Sequence, residues 1–82
     1  MKKYEDLNQL TDDTHAIVSK NVKKFRTQKG ISQLNLALDI GLSGNAFLTR
    51  AENDNKDNHF NISHLVKIAY VLEVDICEFF KE

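Results

Sequence analysis

Three histidines and one cysteine are the side chains of this 82-residue chain best suited to metal binding or nucleophilic chemistry. His59 and His64 are spaced i, i+5, which does not align two imidazoles on one helical face, and His15 stands far from both in sequence. Cys77 is alone, which excludes an intrachain disulfide or a cysteine-based zinc site. Between Ile76 and Phe79 it reads as a small packing residue of a helix. A nucleophilic thiol would need a basic partner, and none stands beside it. No glycine-rich phosphate loop, Ser/His/Asp arrangement or carboxylate pair stands out, and Asp12-Asp13 suits the positive end of a helix. Neither enzyme activity, a metal nor a cofactor is expected.

The remaining chemistry is electrostatic. Net charge is only −1, which on its face argues against a polyanionic partner. Residues 1–50, however, carry eight Lys/Arg against five Asp/Glu, whereas residues 51–82 carry three against seven. The basic residues gather in Lys20, Lys23, Lys24, Arg26 and Lys29. Position rather than total charge sets an electrostatic footprint, so these five mark either a phosphate-binding surface or a solvated helix face.

The elements that must position them are helical. Eighty-two residues make one domain, and the chain's 41% hydrophobic and 28% charged residues suit a folded one. No apolar run approaches a membrane span and the amino terminus does not read as a signal peptide, so a cytoplasmic location is expected. Apolar residues recur at helical spacing, with almost no period-two alternation. Thr11 or Asp12 is the expected cap of a first helix reaching about Gly30, with Ile17, Val18, Val22 and Phe25 inward. Ser32 caps a second, whose core face is Leu36, Ala37 and Ile40, and Gly41 ends it. Ser43 or Gly44 opens a third, with Leu48 and Ala51 inward and Phe47 flanking. The polar stretch 53–59 is a turn. A fourth helix over 62–73 buries Ile62, Leu65, Ile68, Ala69 and Leu72. Asp75 caps a short fifth, with Glu78 completing a capping box and Ile76, Phe79 and Phe80 on its apolar side. The expected fold is all-α: five compact helices over 15–82, preceded by an amphipathic helical arm at 1–14 bearing Tyr4, Leu7 and Leu10.

The order of these signals resembles the lambda-repressor-like (Cro-type, xenobiotic-response-element) helix-turn-helix family. The matching features are the basic first helix ending Lys29-Gly30, then Ser32-Gln33, Leu36-Ala37, Gly41-Leu42-Ser43 and Glu52. Leu65-Val66-Lys67-Ile68-Ala69, Leu72, Val74 and Phe79-Phe80 follow the family's last two helices. The likeness spans about residues 17–80, and each piece is specific only in this order and spacing. It implies a DNA-binding transcription regulator that acts as a homodimer on a pseudo-palindromic site. Minimal chains of this kind resemble phage-type repressors, autoregulatory controllers of restriction–modification systems, and antitoxins repressing their own operon.

The resemblance places a reading helix at about 44–53, with Asn45, Ala46, Thr49 and Arg50 toward bases. Asn suits adenine, Arg suits guanine, and Ala or a Thr methyl suits the thymine methyl. The bland alternatives are that Asn45 caps a turn and Arg50 pairs with a nearby acid or phosphate. Ser32, Gln33, Ser43, Gly44, Lys24, Lys29, Lys56 and Asn58 are the expected phosphate contacts. Gly41 to Glu52 is one residue longer than usual, and the register counted back from Glu52 is preferred because it buries Leu48 and Ala51 rather than Arg50. Tyr70, Val71, Val74, Ile76, Phe79 and Phe80 are the expected dimer surface. Leu34 and Leu38 stand where the family is usually polar. They serve either as cover for the arm or as a protein-binding patch, the second fitting an antitoxin or other interaction module.

Overall fold

Asp6 caps the first helix: its carboxylate accepts from the backbone N–H groups of Asn8 and Gln9, and a single helix α1 runs Leu7–Gln28. Residues 6–53 and 57–82 are described, in a computed structural model of the chain. The helix was expected to start at Thr11 or Asp12, with a separate arm before it. Instead the Thr11 and Thr14 hydroxyls donate back to the carbonyls of Leu7 and Leu10, which leaves neither to cap a new start. A Gln9–Asp13 side-chain bond of 2.8 Å bridges the same stretch at i, i+4. The part of the expected arm from Leu7 to Thr14 is therefore the first turns of α1, while Tyr4 lies outside the described residues.

Three further α-helices follow: α2 Gln33–Asp39, α3 Ala46–Glu52 and α4 Ile62–Leu72. The chain is all-helical among the described residues, with four α-helices and a closing 3-10 segment, Ile76–Phe80, in place of the fifth helix. Five residues are too few to sustain an i→i+4 ladder, and the tighter 3-10 turn uses them as they stand. Asp75 caps that segment by accepting from the Cys77 N–H. Glu78 does not complete the expected capping box: its carboxylate pairs with Lys81 at 2.7 Å.

Two glycines fix the turns around α2. Gly30 at φ +71° and Gly41 at φ +94° take the left-handed conformation, and six-residue closures run from Ile31 N–H to the Arg26 carbonyl and from Leu42 N–H to the Ala37 carbonyl. Ser32 caps α2 as expected, accepting from the Asn35 N–H at 3.0 Å. Helix α3 begins two residues later than expected, at Ala46. Leu48 and Ala51 are buried and Arg50 is exposed, as the Glu52 register requires.

The core joins Val18 and Val22 of α1, Leu36, Ala37 and Ile40 at α2, Leu48 and Ala51 of α3, Leu65, Ile68, Ala69 and Leu72 of α4, and Phe60 and Phe79. Ile62 departs from expectation at 67% exposed. Cys77 is exposed too, and so is not a packing residue. A hydrogen bond to Asp75, then that carboxylate's charge, push the thiol above its ordinary range, which disfavours the nucleophilic thiolate.

Buried Asn21 ties the carboxy-terminal end to α1, its amide donating to the carbonyls of Phe79 at 2.9 Å and Lys81 at 2.7 Å. Asn21→Ala leaves both acceptors without that partner and is expected to lower stability by about 1–3 kcal/mol, read by urea unfolding. An unchanged midpoint would show that water replaces the amide without loss.

Asn61 and His64 form a reciprocal capping box at the start of α4: the His64 N–H donates to Asn61 Oδ1 at 2.7 Å, and the Asn61 N–H donates to His64 Nδ1 at 3.1 Å. Burial, then the charge of Lys67, lower the His64 pKa, and protonating Nδ1 abolishes its acceptor role. Because the folded value is depressed, the contribution of His64 is fully present above about pH 6.5, the ordinary unfolded value. It is lost as pH falls through the folded value. Thermal melts from pH 7.5 to 5 should show a smaller fall for His64→Gln, which keeps an acceptor that does not titrate, than for the parent. Equal slopes would remove His64 as a contributor.

Candidate nucleic-acid interface

Helices α2 and α3 are locked to α1 by one buried polar network. Arg26 Nε and Nη2 donate to the two carboxylate oxygens of Glu52 at 2.7 and 2.8 Å, and Nη1 donates to the Ile31 carbonyl at 2.7 Å. Gln33 Nε2 donates to Glu52 Oε1 at 3.0 Å, and the Thr49 hydroxyl donates to Gln33 Oε1 at 2.7 Å. The side chain of Glu52 is fully covered and that of Arg26 is 9% exposed. Each charge thus loses its water and regains bidentate, charge-assisted bonds.

This network involves three residues with expected roles. Arg26 is a structural cation and contributes nothing to a basic footprint. Gln33, expected at a phosphate, accepts from Thr49 and donates one of its two amide N–H groups to Glu52, which leaves the second N–H for a phosphate. Thr49, expected at a base through its methyl, is half-buried and donates its hydroxyl to Gln33 Oε1. The sequence signal that could have found the network is the pairing of Glu52 with an arginine on the inner face of α1, two features each read for another purpose.

What α3 presents outward is Asn45, Ala46 and Arg50, all exposed. Asn45 occupies the N-cap position, yet its side chain makes no capping bond. Arg50 pairs with no carboxylate among the described residues. Ser43, Gly44 and Ala46 join Leu42 and Phe47 around a depression of about 200 Å³ at the entry to α3. The structure therefore brings the expected contacts Ser43, Gly44, Asn45 and Ala46 to one place.

Of the other expected phosphate contacts, Ser32 uses its hydroxyl oxygen to cap α2. Lys24 is exposed, with Nζ 4.8 Å from the Phe25 ring centre. Lys29 is drawn to the end of α4, where Nζ lies 3.0 Å from a Glu73 carboxylate oxygen. Both partners of that pair are substantially exposed, so it is weak and screened. Asn58 is half-buried, and Lys56 lies outside the described residues.

Two apolar surfaces remain uncovered. Leu34 and Leu38 on α2 are 47% and 51% exposed, and Leu7 is itself 71% exposed, so the described part of the expected arm does not cover them. On α4, Ile62, Val66 and Tyr70 form an exposed i, i+4, i+8 stripe, with Phe80 exposed in the closing segment. Phe79, expected at a dimer surface, is fully buried and belongs to the core, where its ring meets Phe25 edge-on at 6.1 Å. Val71, Val74 and Ile76 are half-buried against that core.

The histidines take up positions the sequence did not signal. His15 and His59 stack with ring centres 3.7 Å apart and planes 8° from parallel. In-plane lone pairs on stacked rings do not converge on one ion, and no group of three or more metal-ligating residues occurs among the described residues.

No protein-family model matches the chain, and neither a curated protein nor a solved structure does.

Proposed function

We propose that this chain is a sequence-specific DNA-binding transcription regulator that sets α3 into the major groove, as its resemblance to lambda-repressor-like helix-turn-helix proteins implies. The observation that carries this reading is the outward face of α3: Asn45, Ala46 and Arg50 are exposed on a helix whose inner side is bolted to α1 and α2 through Glu52. A rigid helix offering an amide, a methyl and a guanidinium matches the groups that distinguish base pairs in that groove. Lys20, Lys23 and Lys24, exposed on α1, supply phosphate attraction independent of sequence.

One short reading helix covers few base pairs, so the working unit is a homodimer on a pseudo-palindromic site with half-sites about 34 Å apart. Tyr70 and Phe80, with the Ile62 and Val66 stripe, supply its apolar contact surface. An autoregulatory restriction–modification controller is one form of regulator that the resemblance implies. The test is selection from a library of duplexes with random cores. Enrichment of an inverted repeat supports the reading, and enrichment of nothing above background sinks it.

A second reading rests on Leu34 and Leu38, exposed together on α2: a protein-interaction module, such as an antitoxin that neutralises a partner. Charged residues at both positions separate the two. Duplex selection that survives the change leaves the pair to a partner protein; selection that is lost places α2 within the DNA-binding machinery.

A further inference from the structure

Helix α1 outruns the body it packs on. Its first buried side chain is Val18, and the His59 ring stacks on its His15. Ahead of these lie residues 7–14, about 12 Å of helix. Helical spacing sets Leu7, Leu10 and Thr14 on the side of α1 that carries Val18 and Asn21. That side is buried at Val18 and Asn21, yet Leu7 is 71% and Leu10 38% exposed. Two turns of helix without tertiary cover are marginal in water, so an apolar side here gains from a partner. The exposed α4 stripe of Ile62, Val66 and Tyr70 starts at the same end of the body, three residues after His59.

We propose that the overhang of α1 docks on the α4 stripe of a second copy of the chain, and that the two copies exchange this contact reciprocally. The proposal rests on the homodimer of the proposed function and names the contact that holds it. Charge selects the pairing. The overhang carries Asp6, Asp12 and Asp13, with no Lys or Arg between Asp6 and Ser19. Helix α4 carries Lys67 beside Val66, exposed and without a carboxylate partner among the described residues, and holds no Asp or Glu from Ile62 to Leu72. The other exposed apolar pair, Leu34 and Leu38, sits beside exposed Asp39 on a helix with no cation. Docking there, or pairing two overhangs, would set acid against acid. Area points the same way. Each partner of a stable pair contributes about 800 Å² and roughly 20–30 residues, more than the few exposed side chains of α4 supply alone. A two-fold pair uses overhang and stripe twice, so both apolar faces of both copies are covered at once.

Sedimentation velocity of the full chain across the micromolar range tests it. The parent should sediment as a dimer. Leu7→Glu with Leu10→Glu should raise the dimer dissociation constant at least about a hundredfold, since each subunit loses the burial of two leucines. Val66→Glu with Tyr70→Glu should dissociate the dimer from the other side of the same contact. An equimolar mixture of the two double variants should dimerise more tightly than either alone, because one intact overhang then meets one intact stripe. Thermal melts confirm that each variant folds, and recovery in the mixture is beyond the reach of an unfolded chain. A monomeric parent, a dimer that survives Leu7→Glu with Leu10→Glu, or a mixture no tighter than its components overturns the proposal. Duplex selection is read separately. A parent that dimerises in this way but enriches no duplex keeps the contact and loses the DNA-binding function. An enriched inverted repeat, with a dimer that survives the overhang change, loses the contact and keeps the function.

Discussion

Glu52→Ala is expected to destabilise the fold by about 3–5 kcal/mol, the effect of stranding one partner of a buried ion pair. The change strips Arg26, 9% exposed at its side chain, of both carboxylate bonds and strips Gln33 of an acceptor. Domains of this size have roughly 5–15 kcal/mol of total stability, so the variant should unfold at a markedly lower denaturant midpoint and melting temperature. Urea or thermal unfolding by circular dichroism measures it. The paired change Arg26→Met with Glu52→Leu removes both charges and should recover much of the loss, because apolar residues of similar volume escape the desolvation penalty. A single-variant loss under about 1 kcal/mol, the range of exposed pairs, would mean that water reaches the pair.

Arg50→Ala carries the largest expected effect on recognition. Arg50 is exposed and unpaired among the described residues, so the fold should be unaffected. A bidentate arginine–guanine contact contributes about 1–3 kcal/mol of discrimination, and a two-fold dimer uses it twice. Binding to the selected duplex should fall by one to several orders of magnitude, with preference relaxed at one position in each half-site. Lys24→Ala should instead weaken all duplexes alike and reduce the salt slope by about one ion per subunit. Fluorescence anisotropy on cognate and scrambled duplexes over a salt series distinguishes the two. An equal loss on every duplex for Arg50→Ala would make it another phosphate contact and remove α3 from base reading.

These two residues show how unevenly the candidate site was legible. Arg50 was placed outward from the sequence because the alternative register would have buried it, and the structure places it so. Glu52 was legible as a register mark, while its partner was not. Arg26 shares a basic stretch with Lys23, Lys24 and Lys29, and composition gives no reason to separate it from them. Helical spacing puts it on the Val18 and Val22 side of α1, and the packing of α3 supplies the carboxylate that holds it there.

Adjacent residues show the same limit. Phe79 and Phe80 look equivalent in sequence, and both were expected at a dimer surface. The 3-10 turn sends one into the core and the other to solvent, where it is 45% exposed. On α4, Ile62 and Leu65 belong to one apparent apolar stripe, but the first turn lies past the edge of the core and leaves Ile62 uncovered. Thr11 and Asp12 carried a credible cap signal. An earlier cap at Asp6 and the back-bonding threonines made it part of a longer helix.

The sequence by itself determined the all-helical class, the Ser32 cap, the left-handed glycines ending α1 and α2, the core face of α2, and the burial of Leu48 and Ala51. These features are settled within about one helical turn by spacing, capping and the absence of a Cβ, so the local order of residues contains them. At this level too, a net charge of −1 conceals a basic first part and an acidic last part. Tertiary structure alone decided which polar side chains are free to meet a ligand. The partners of Glu52, Gln33 and Asn21 lie between 16 and 60 residues away, and helix packing brings them together. A buried polar group must find a partner wherever packing places one, and that choice leaves Asn45, Ala46 and Arg50 facing outward while committing Arg26 to Glu52.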